Sequence, residues 1–234
     1  MNLPRDCALF LDIDGTLLDF AAAPGLAVPP PELPGLLRQL AGRMGSALAL
    51  ISGRMLADIE RLFGPGIAVA AEHGACLRDA SGRILTEAVP DPALRPIAAI
   101  LHAAVAARPG ALLEEKRFGL TLHWRGAPAW GAELAALAAE LVAPHPGLVL
   151  LPAHAALEIR TGGNDKASAL EAFLRIAPFA GRLPVFVGDD VTDEPAIARA
   201  NALGGAGLHT NRDFGGPAAL RAWLAELAEG REDG

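Results

Sequence analysis

Apolar positions along the chain fall into two rhythms that alternate. Ala8-Leu9-Phe10-Leu11 is a continuous apolar run closed by Asp12, the pattern of a strand buried on both faces of a parallel sheet. From Glu32 to Arg43 the period lengthens to that of a helix, with Leu33, Leu36, Leu37 and Leu40 on one side. Ala47–Ile51 then reads as a strand, Met55–Phe63 as an amphipathic helix and Ile67–Ala71 as a third strand. This β-α-β-α-β alternation predicts an α/β fold with a doubly wound, Rossmann-like parallel sheet.

The rhythm breaks at Pro90, Pro92 and Pro96, which open a helical stretch to about Ala107. Strands are expected over Leu112–Lys116 and Leu120–Trp124, a helix over Ala129–Val142, and strands over Leu148–Leu151 and Ala156–Arg160. After Gly162-Gly163 the α/β rhythm returns. Helices are expected at Lys166–Arg175, Thr192–Ala200 and Pro217–Ala228, and strands at Val185–Val187 and Ala202–Gly207. The pattern therefore predicts a split core, residues 1–85 and 158–234, with an α+β domain inserted over residues 86–157. The tail Arg231–Gly234 is expected to fray.

Composition narrows the function classes. The 234 residues carry 20 Lys+Arg against 27 Asp+Glu, a net charge of −7, which disfavours general binding to nucleic acid or to anionic membranes. A small anionic substrate held by local cations remains compatible with that balance. Cys7 and Cys76 have neither disulfide-framework nor metal-ligand spacing and read as small buried hydrophobes. No apolar run reaches the roughly 18 residues of a membrane span. Charges at Arg5, Asp6, Asp12 and Asp14 interrupt any signal-peptide core, so a cytoplasmic protein is the expectation.

Chemistry concentrates at the predicted strand ends, where ligands bind in open α/β sheets. Asp12-Ile13-Asp14-Gly15-Thr16 follows the first strand. Ser52-Gly53-Arg54 closes the second and starts a helix, offering a hydroxyl and backbone N–H groups suited to phosphate. Lys166, at a helix start where a cation is mildly unfavourable, makes sense beside an anion. Gly188-Asp189-Asp190-Val191-Thr192-Asp193-Glu194 follows an apolar strand. Two like charges 4 Å apart repel by roughly 4 kcal/mol at an effective dielectric near 20, so Asp12, Asp14 and Asp189 converging would require a cation. All-oxygen ligands favour Mg²⁺.

In this order and spacing, Asp12-x-Asp14-Gly15-Thr16, Ser52, Lys166 and Gly188-Asp189 resemble the haloacid dehalogenase superfamily of phosphatases. Lys166 lies 114 residues after Ser52, far beyond the roughly 30 of a βαβ unit, which is similar to family members with a cap inserted after the third core strand. Ile51–Arg54, Glu72-His73-Gly74-Ala75, Leu120–Arg125, Leu157–Arg160 and Gly188–Glu194 resemble the trehalose-6-phosphate phosphatases over about residues 8–225. Ala167 stands where many members carry glycine.

The resemblance implies Mg²⁺-dependent hydrolysis of trehalose 6-phosphate by an enzyme of haloacid dehalogenase-like core. Asp12 would be the nucleophile, Asp14 the general acid and base, and Ser52 and Lys166 the holders of the phosphoryl oxygens. Asp12, Asp14 through its carbonyl, and Asp189 would hold the metal, supported by Asp190 and Asp193. Arg54, Lys116, His123, Arg125 and Glu158 would contact substrate. Strand alternation independently gives the inserted domain a polar face, with Thr121, His123 and Arg125 on one strand and Ala156, Glu158 and Arg160 on another. A monomer acting on a small-molecule sugar phosphate is expected. Phosphatases of sucrose, mannosylglycerate or glucosylglycerol phosphate, a phosphomutase, and a catalytically silent sugar-phosphate-binding module are the alternatives.

Overall fold

A computed structural model of the chain describes residues 6–19, 26–153 and 155–230; Arg5 and the tail expected to fray lie outside the described residues. The chain divides into two compact units, one of Met1–Glu87 with Asn164–Gly234, the other Ala88–Gly163. Among the described residues, no helix is long and apolar enough to cross a membrane.

In the first unit, β1 (Cys7–Leu11), α1 (Leu33–Arg43), β2 (Leu48–Ile51), α2 (Leu56–Phe63) and β3 (Ala68–Ala71) follow the predicted alternation. Two short strands come next, β4 (Cys76–Arg78) and β5 (Ile84–Glu87), and add antiparallel to the sheet. The sequence pattern gave no sign of them: β4 has three residues, and β5 is an exposed edge strand with no apolar face to register. The turn between them is held locally by Asp79, whose carboxylate accepts from the backbone of Ser81 and Arg83.

The second unit holds α3 (Leu94–Ala106), β6 (Leu112–Glu115), β7 (Gly119–His123), α4 (Gly131–Val142), β8 (Leu148–Ala153) and β9 (Ala156–Thr161). They form an antiparallel sheet of order β6-β7-β9-β8. Leu94, Ile97 and Leu101 of α3 and Leu134 and Ala138 of α4 pack with Leu113, Leu120, Leu122, Leu157 and Ile159 of the sheet. One face is thus apolar and the other is left to polar residues. β9 pairs with both β7 and β8, so the unit cannot close at residue 157 as expected and runs on to Gly163.

The chain returns to the first unit with α5 (Lys166–Leu174), β10 (Leu183–Gly188), α6 (Glu194–Ala202), β11 (Ala206–His209) and α7 (Pro217–Glu229). The expected strand over Ala202–Gly207 begins later. Ala202 completes α6, and Gly204 at φ +80° turns the chain before β11 starts. The final order is β11-β10-β1-β2-β3-β4-β5, with the first five strands parallel. β1 and β10 are neighbours, which brings Asp12 and Gly188 to the same edge. The rings of Phe10, Phe173 and Phe179 pack with centroids 4.9–6.2 Å apart and hold α5 on the sheet. A reciprocal capping box between Asp165 and Ser168 starts α5, placing Lys166 in its first turn.

Candidate active site

The site begins where β1 runs out. The Asp12 N–H donates to the Val187 carbonyl (2.9 Å), extending the β1–β10 ladder by one bond and burying the Asp12 carboxylate at the sheet edge. Gly15 follows at φ +78°, in a turn where a Cβ would overlap the Asp189 carboxylate. Only glycine serves both demands there: left-handed backbone and room for Asp189. Thr16 then donates its hydroxyl to Asp189 Oδ1 (3.2 Å).

Lys166 joins the two strand ends. Its Nζ lies 2.6 Å from Asp12 Oδ1 and 2.6 Å from Asp193 Oδ1, with 3% of the residue exposed. The other oxygen of Asp193 accepts from the N–H groups of Asp189 (3.0 Å) and Asp190 (3.2 Å), so one fully buried carboxylate ties the lysine to the loop after β10. Gly188 is required beside it, since a Cβ would overlap Asp193. Asp190 accepts from the backbone and hydroxyl of Thr192 (2.8 and 2.6 Å), shaping the loop locally.

Oxygens of Asp12, Asp189 and Asp193 all lie within 4.8 Å of one another. The expected metal set named Asp12, Asp189 and the Asp14 carbonyl, with Asp190 and Asp193 in support; among the described residues, Asp193 joins the carboxylates of Asp12 and Asp189, whereas those of Asp14 and Asp190 do not. One ammonium among three carboxylates leaves excess negative charge. Burial, ahead of its charged neighbours, holds the Asp12 carboxyl well above the usual range, and Asp193 and Asp14 add to the rise against the opposing pull of Lys166. Asp189 is pushed up to about 6 by burial first and by Asp190 and Asp193 next. Burial alone would lower Lys166, but the charges of Asp12 and Asp193 outweigh it and raise the amine above its ordinary value.

The Asp14 side chain stands apart from this group. Arg54 grips it with two parallel bonds, Nε to Oδ2 (2.7 Å) and Nη2 to Oδ1 (2.6 Å), a planar fork on a carboxylate. Arg54 was expected to contact substrate, and the structure places it on this carboxylate. Ser52, buried at the end of β2, accepts at Oγ from the Arg54 N–H (3.2 Å).

Behind this loop is a turn whose backbone is unusual. Glu72, His73 and Gly74 have φ of +46°, +56° and +97°, a left-handed run in which two residues carry a Cβ. Its N–H groups donate back to the phosphate-loop candidate, Glu72 to Arg54 O (3.0 Å) and His73 to Ser52 O (2.9 Å). A Cβ on Gly53 would fall 2.5 Å from His73 Nε2, so the imidazole packs directly against the glycine. The sequence singled out Glu72–Gly74 without a role; the structure makes it the brace of Ser52–Arg54.

The second unit gathers a separate polar cluster on the sheet face opposite its helices. Glu114, Thr121 and Glu158 stand in register across β6, β7 and β9. Lys116 Nζ lies 3.3 Å from Glu158 Oε2, and His123 Nε2 lies 2.8 Å from Glu114 Oε2. That bond with His123 is the foremost reason the Glu114 carboxyl sits below its usual range. Sequence reasoning missed Glu114, although its alternation with Lys116 carried the signal. It also extended β7 too far. The strand ends at His123, and Arg125 falls in the exposed turn that follows.

Comparison with known proteins places these features in a family. The chain is 40% identical to the Escherichia coli (strain K12) trehalose-6-phosphate phosphatase over 205 residues, spanning 87% of this chain and 77% of that one. Its fold is similar to the C-terminal domain of the C. albicans trehalose-6-phosphate phosphatase, with a TM-score of 0.81 at 22% identity over 97% of this chain and 94% of that one. It is also similar to a haloacid dehalogenase-like hydrolase from B. subtilis, with a TM-score of 0.62 at 15% identity over 96% of this chain and 99% of that one. The trehalose-phosphatase family model matches residues 10–212, covering both strand-end carboxylate motifs and the inserted unit, and the chain belongs to the trehalose-phosphatase family, hydrolases of a phosphoric monoester.

Proposed function

We propose that the chain hydrolyses trehalose 6-phosphate to trehalose and inorganic phosphate, with Asp12 as the nucleophile. The observation that carries this reading is the buried Asp12–Lys166–Asp193 contact, with Asp189 beside it, at one edge of the sheet. Burying two carboxylates, a third beside them and one ammonium at a strand end costs stability, and a group that must attack phosphorus gives that cluster a reason to be there.

One Asp12 carboxylate oxygen attacks phosphorus in line as the bond to the sugar oxygen breaks. Asp14, protonated from solvent once Arg54 releases it, gives that proton to the leaving oxygen, so trehalose departs neutral, and Asp12 is left as an acyl phosphate. Asp14 then takes a proton from water as the water oxygen attacks phosphorus. This releases phosphate and restores the Asp12 carboxylate. Lys166 and Ser52 hold the phosphoryl oxygens. Arg54 fixes the Asp14 carboxyl until substrate is bound. In the second unit, Glu158, Lys116, His123 and Arg125 recognise sugar hydroxyls, for which the mixture of acceptors and donors is suited.

The donor set of the first unit is hard oxygen throughout, and its three carboxylates outnumber the single ammonium, which fits Mg²⁺. Asp12, Asp189 and the Asp14 carbonyl would hold Mg²⁺, which when bound neutralises charge on the phosphoryl oxygens. Asp193 and Asp190 order the loop that carries Asp189. The same reading has the chain working in the cytoplasm as a monomer on a small molecule, with no nucleic acid or membrane as partner.

The test is phosphate release across a panel of sugar phosphates with Mg²⁺ and with EDTA. Strong preference for trehalose 6-phosphate, abolished by EDTA, is expected. Preference for another sugar phosphate overturns the substrate assignment, and no release from any of them overturns the enzymatic reading.

A further inference from the structure

One fully buried polar group in the first unit has so far been given no role. Thr210 follows β11 at the start of a single π-type turn, Thr210–Phe214, and has no exposed surface. Its hydroxyl lies 3.1 Å from Thr16 Oγ1 and 3.1 Å from the Gly188 carbonyl. It therefore touches both loops that carry the acidic cluster: Thr16 belongs to the turn after Asp14, and Gly188 immediately precedes Asp189.

The proton inventory fixes the direction of this chain. A hydroxyl has one proton to give. Thr16 spends its proton on Asp189 Oδ1 at 3.2 Å, since an ionised carboxylate only accepts. Towards Thr210, Thr16 must then be the acceptor. The Thr210 proton is shared between Thr16 Oγ1 and Gly188 O, both at the same distance. Donation into Thr16 keeps its proton turned towards Asp189, and the bond to Gly188 fixes the backbone from which Asp189 hangs. On its other side the same carboxylate occupies the space that Gly15 leaves by having no side chain.

We propose that Thr210 is a positioning residue for the Asp189 carboxylate, acting through Thr16 and Gly188, and that it sets the affinity of the site for a divalent cation. This rests on the reading of Asp12 and Asp189 as Mg²⁺ ligands. Carboxylates that bind metal are themselves oriented by hydrogen bonds, and losing such a partner typically costs about 10- to 100-fold in affinity. Thr210 reaches the site from the end of β11, the edge strand beside β10, so no motif around Asp12 or Asp189 would have revealed it.

The experiment is calorimetric titration of the full chain with MgCl₂, for wild type, Thr210→Val and Thr210→Ser. Valine keeps the volume and removes the hydroxyl; serine keeps the hydroxyl. Thr210→Val is expected to weaken Mg²⁺ binding about 10-fold, and Thr210→Ser to restore it to near the wild-type value. In turnover, Thr210→Val should require more Mg²⁺ for half-maximal rate while reaching the wild-type kcat at saturation. Should valine prevent folding, Thr210→Ala, checked by thermal unfolding without metal, takes its place.

Equal Mg²⁺ affinity in wild type and the valine or alanine variant overturns the proposal, as does a loss that serine does not repair. A drop in metal-free Tm with unchanged Mg²⁺ affinity assigns Thr210 to packing alone and overturns it as well. If wild type itself binds no Mg²⁺, the metal reading fails first and takes the proposal with it, an outcome distinct from the others because it appears before any substitution.

Discussion

Each unit of the molecule contains a buried lysine beside a carboxylate, and the two are held differently. Lys166 sits between Asp12 and Asp193 at 2.6 Å from each, with the second carboxylate anchored in turn by two backbone N–H groups. Lys116 stands 3.3 Å from Glu158 on a polar sheet face, in a cluster that also holds Glu114 and His123. The first arrangement is fixed from three directions by backbone and by neighbouring charge. The second is a set of side chains facing one another across strands. A group that must stabilise a developing charge gains from being immobile before the reaction starts. A group that must exchange one partner for a sugar hydroxyl gains from a weaker hold.

The most severe way to break the contrast is Asp12→Asn. Turnover should fall by on the order of 10⁴- to 10⁶-fold, as for other nucleophile losses, with the fold intact by circular dichroism. Near-wild-type phosphate release would eliminate the nucleophile assignment.

Lys166→Met and Lys116→Met compare the two lysines directly. Removing Lys166 strands two buried carboxylates and should cost about 3–5 kcal/mol in urea unfolding, besides abolishing activity. Lys116→Met should cost clearly less stability. Equal losses would mean that the two pairs do the same structural job.

Glu158→Gln sharpens the functional side. It should raise KM for trehalose 6-phosphate while leaving hydrolysis of an aryl phosphate near wild type. A parallel loss on both substrates would remove the sugar-reading role of that face.

The smallest effect is a pH dependence. Asp189 is raised to about 6 from an ordinary 3.8, so the metal-free folded state binds that proton more tightly than the unfolded chain does. Its contribution to stability is therefore full below about pH 4 and is lost as pH rises through about 6. Between those values the Tm of metal-free wild type should fall relative to that of Asp189→Asn, and Mg²⁺ should remove the difference because it binds the ionised form. Parallel Tm curves would mean Asp189 is not perturbed.

Legibility in the sequence followed the way each residue is positioned. Asp12, Ser52, Lys166 and Asp189 each abut an apolar run or a helix start, so chain order alone marked them, and the sheet order then brought their elements together. The polar face of the second unit was legible through period-two alternation, and Glu114 lay within the same pattern as Lys116. What stayed hidden depended on contacts between distant segments. Thr210 is a lone threonine until β11 is laid beside β10. The left-handed turn at Glu72 and His73 uses residue types that give no local hint of it, because its backbone bonds to Ser52 and Arg54 supply the reason. β4 was too short, and β5 too exposed, to leave a period. Arg125 shows the converse error, alternation carried two residues past the end of a strand.

The placement of β1 between β2 and β10 has a consequence in time. During synthesis β1 emerges first and β2 soon after, but β10 follows only once the whole Ala88–Gly163 unit has been made. At about 5–20 residues per second, one edge of this fully buried apolar strand waits on the order of ten seconds for its neighbour. The nascent chain must keep that edge from pairing with other chains meanwhile. The inserted unit, whose strands pair only among themselves, has every partner it needs while the first unit still waits. The interval is the cost of bringing together Asp12 and Lys166, which lie 154 residues apart along the chain.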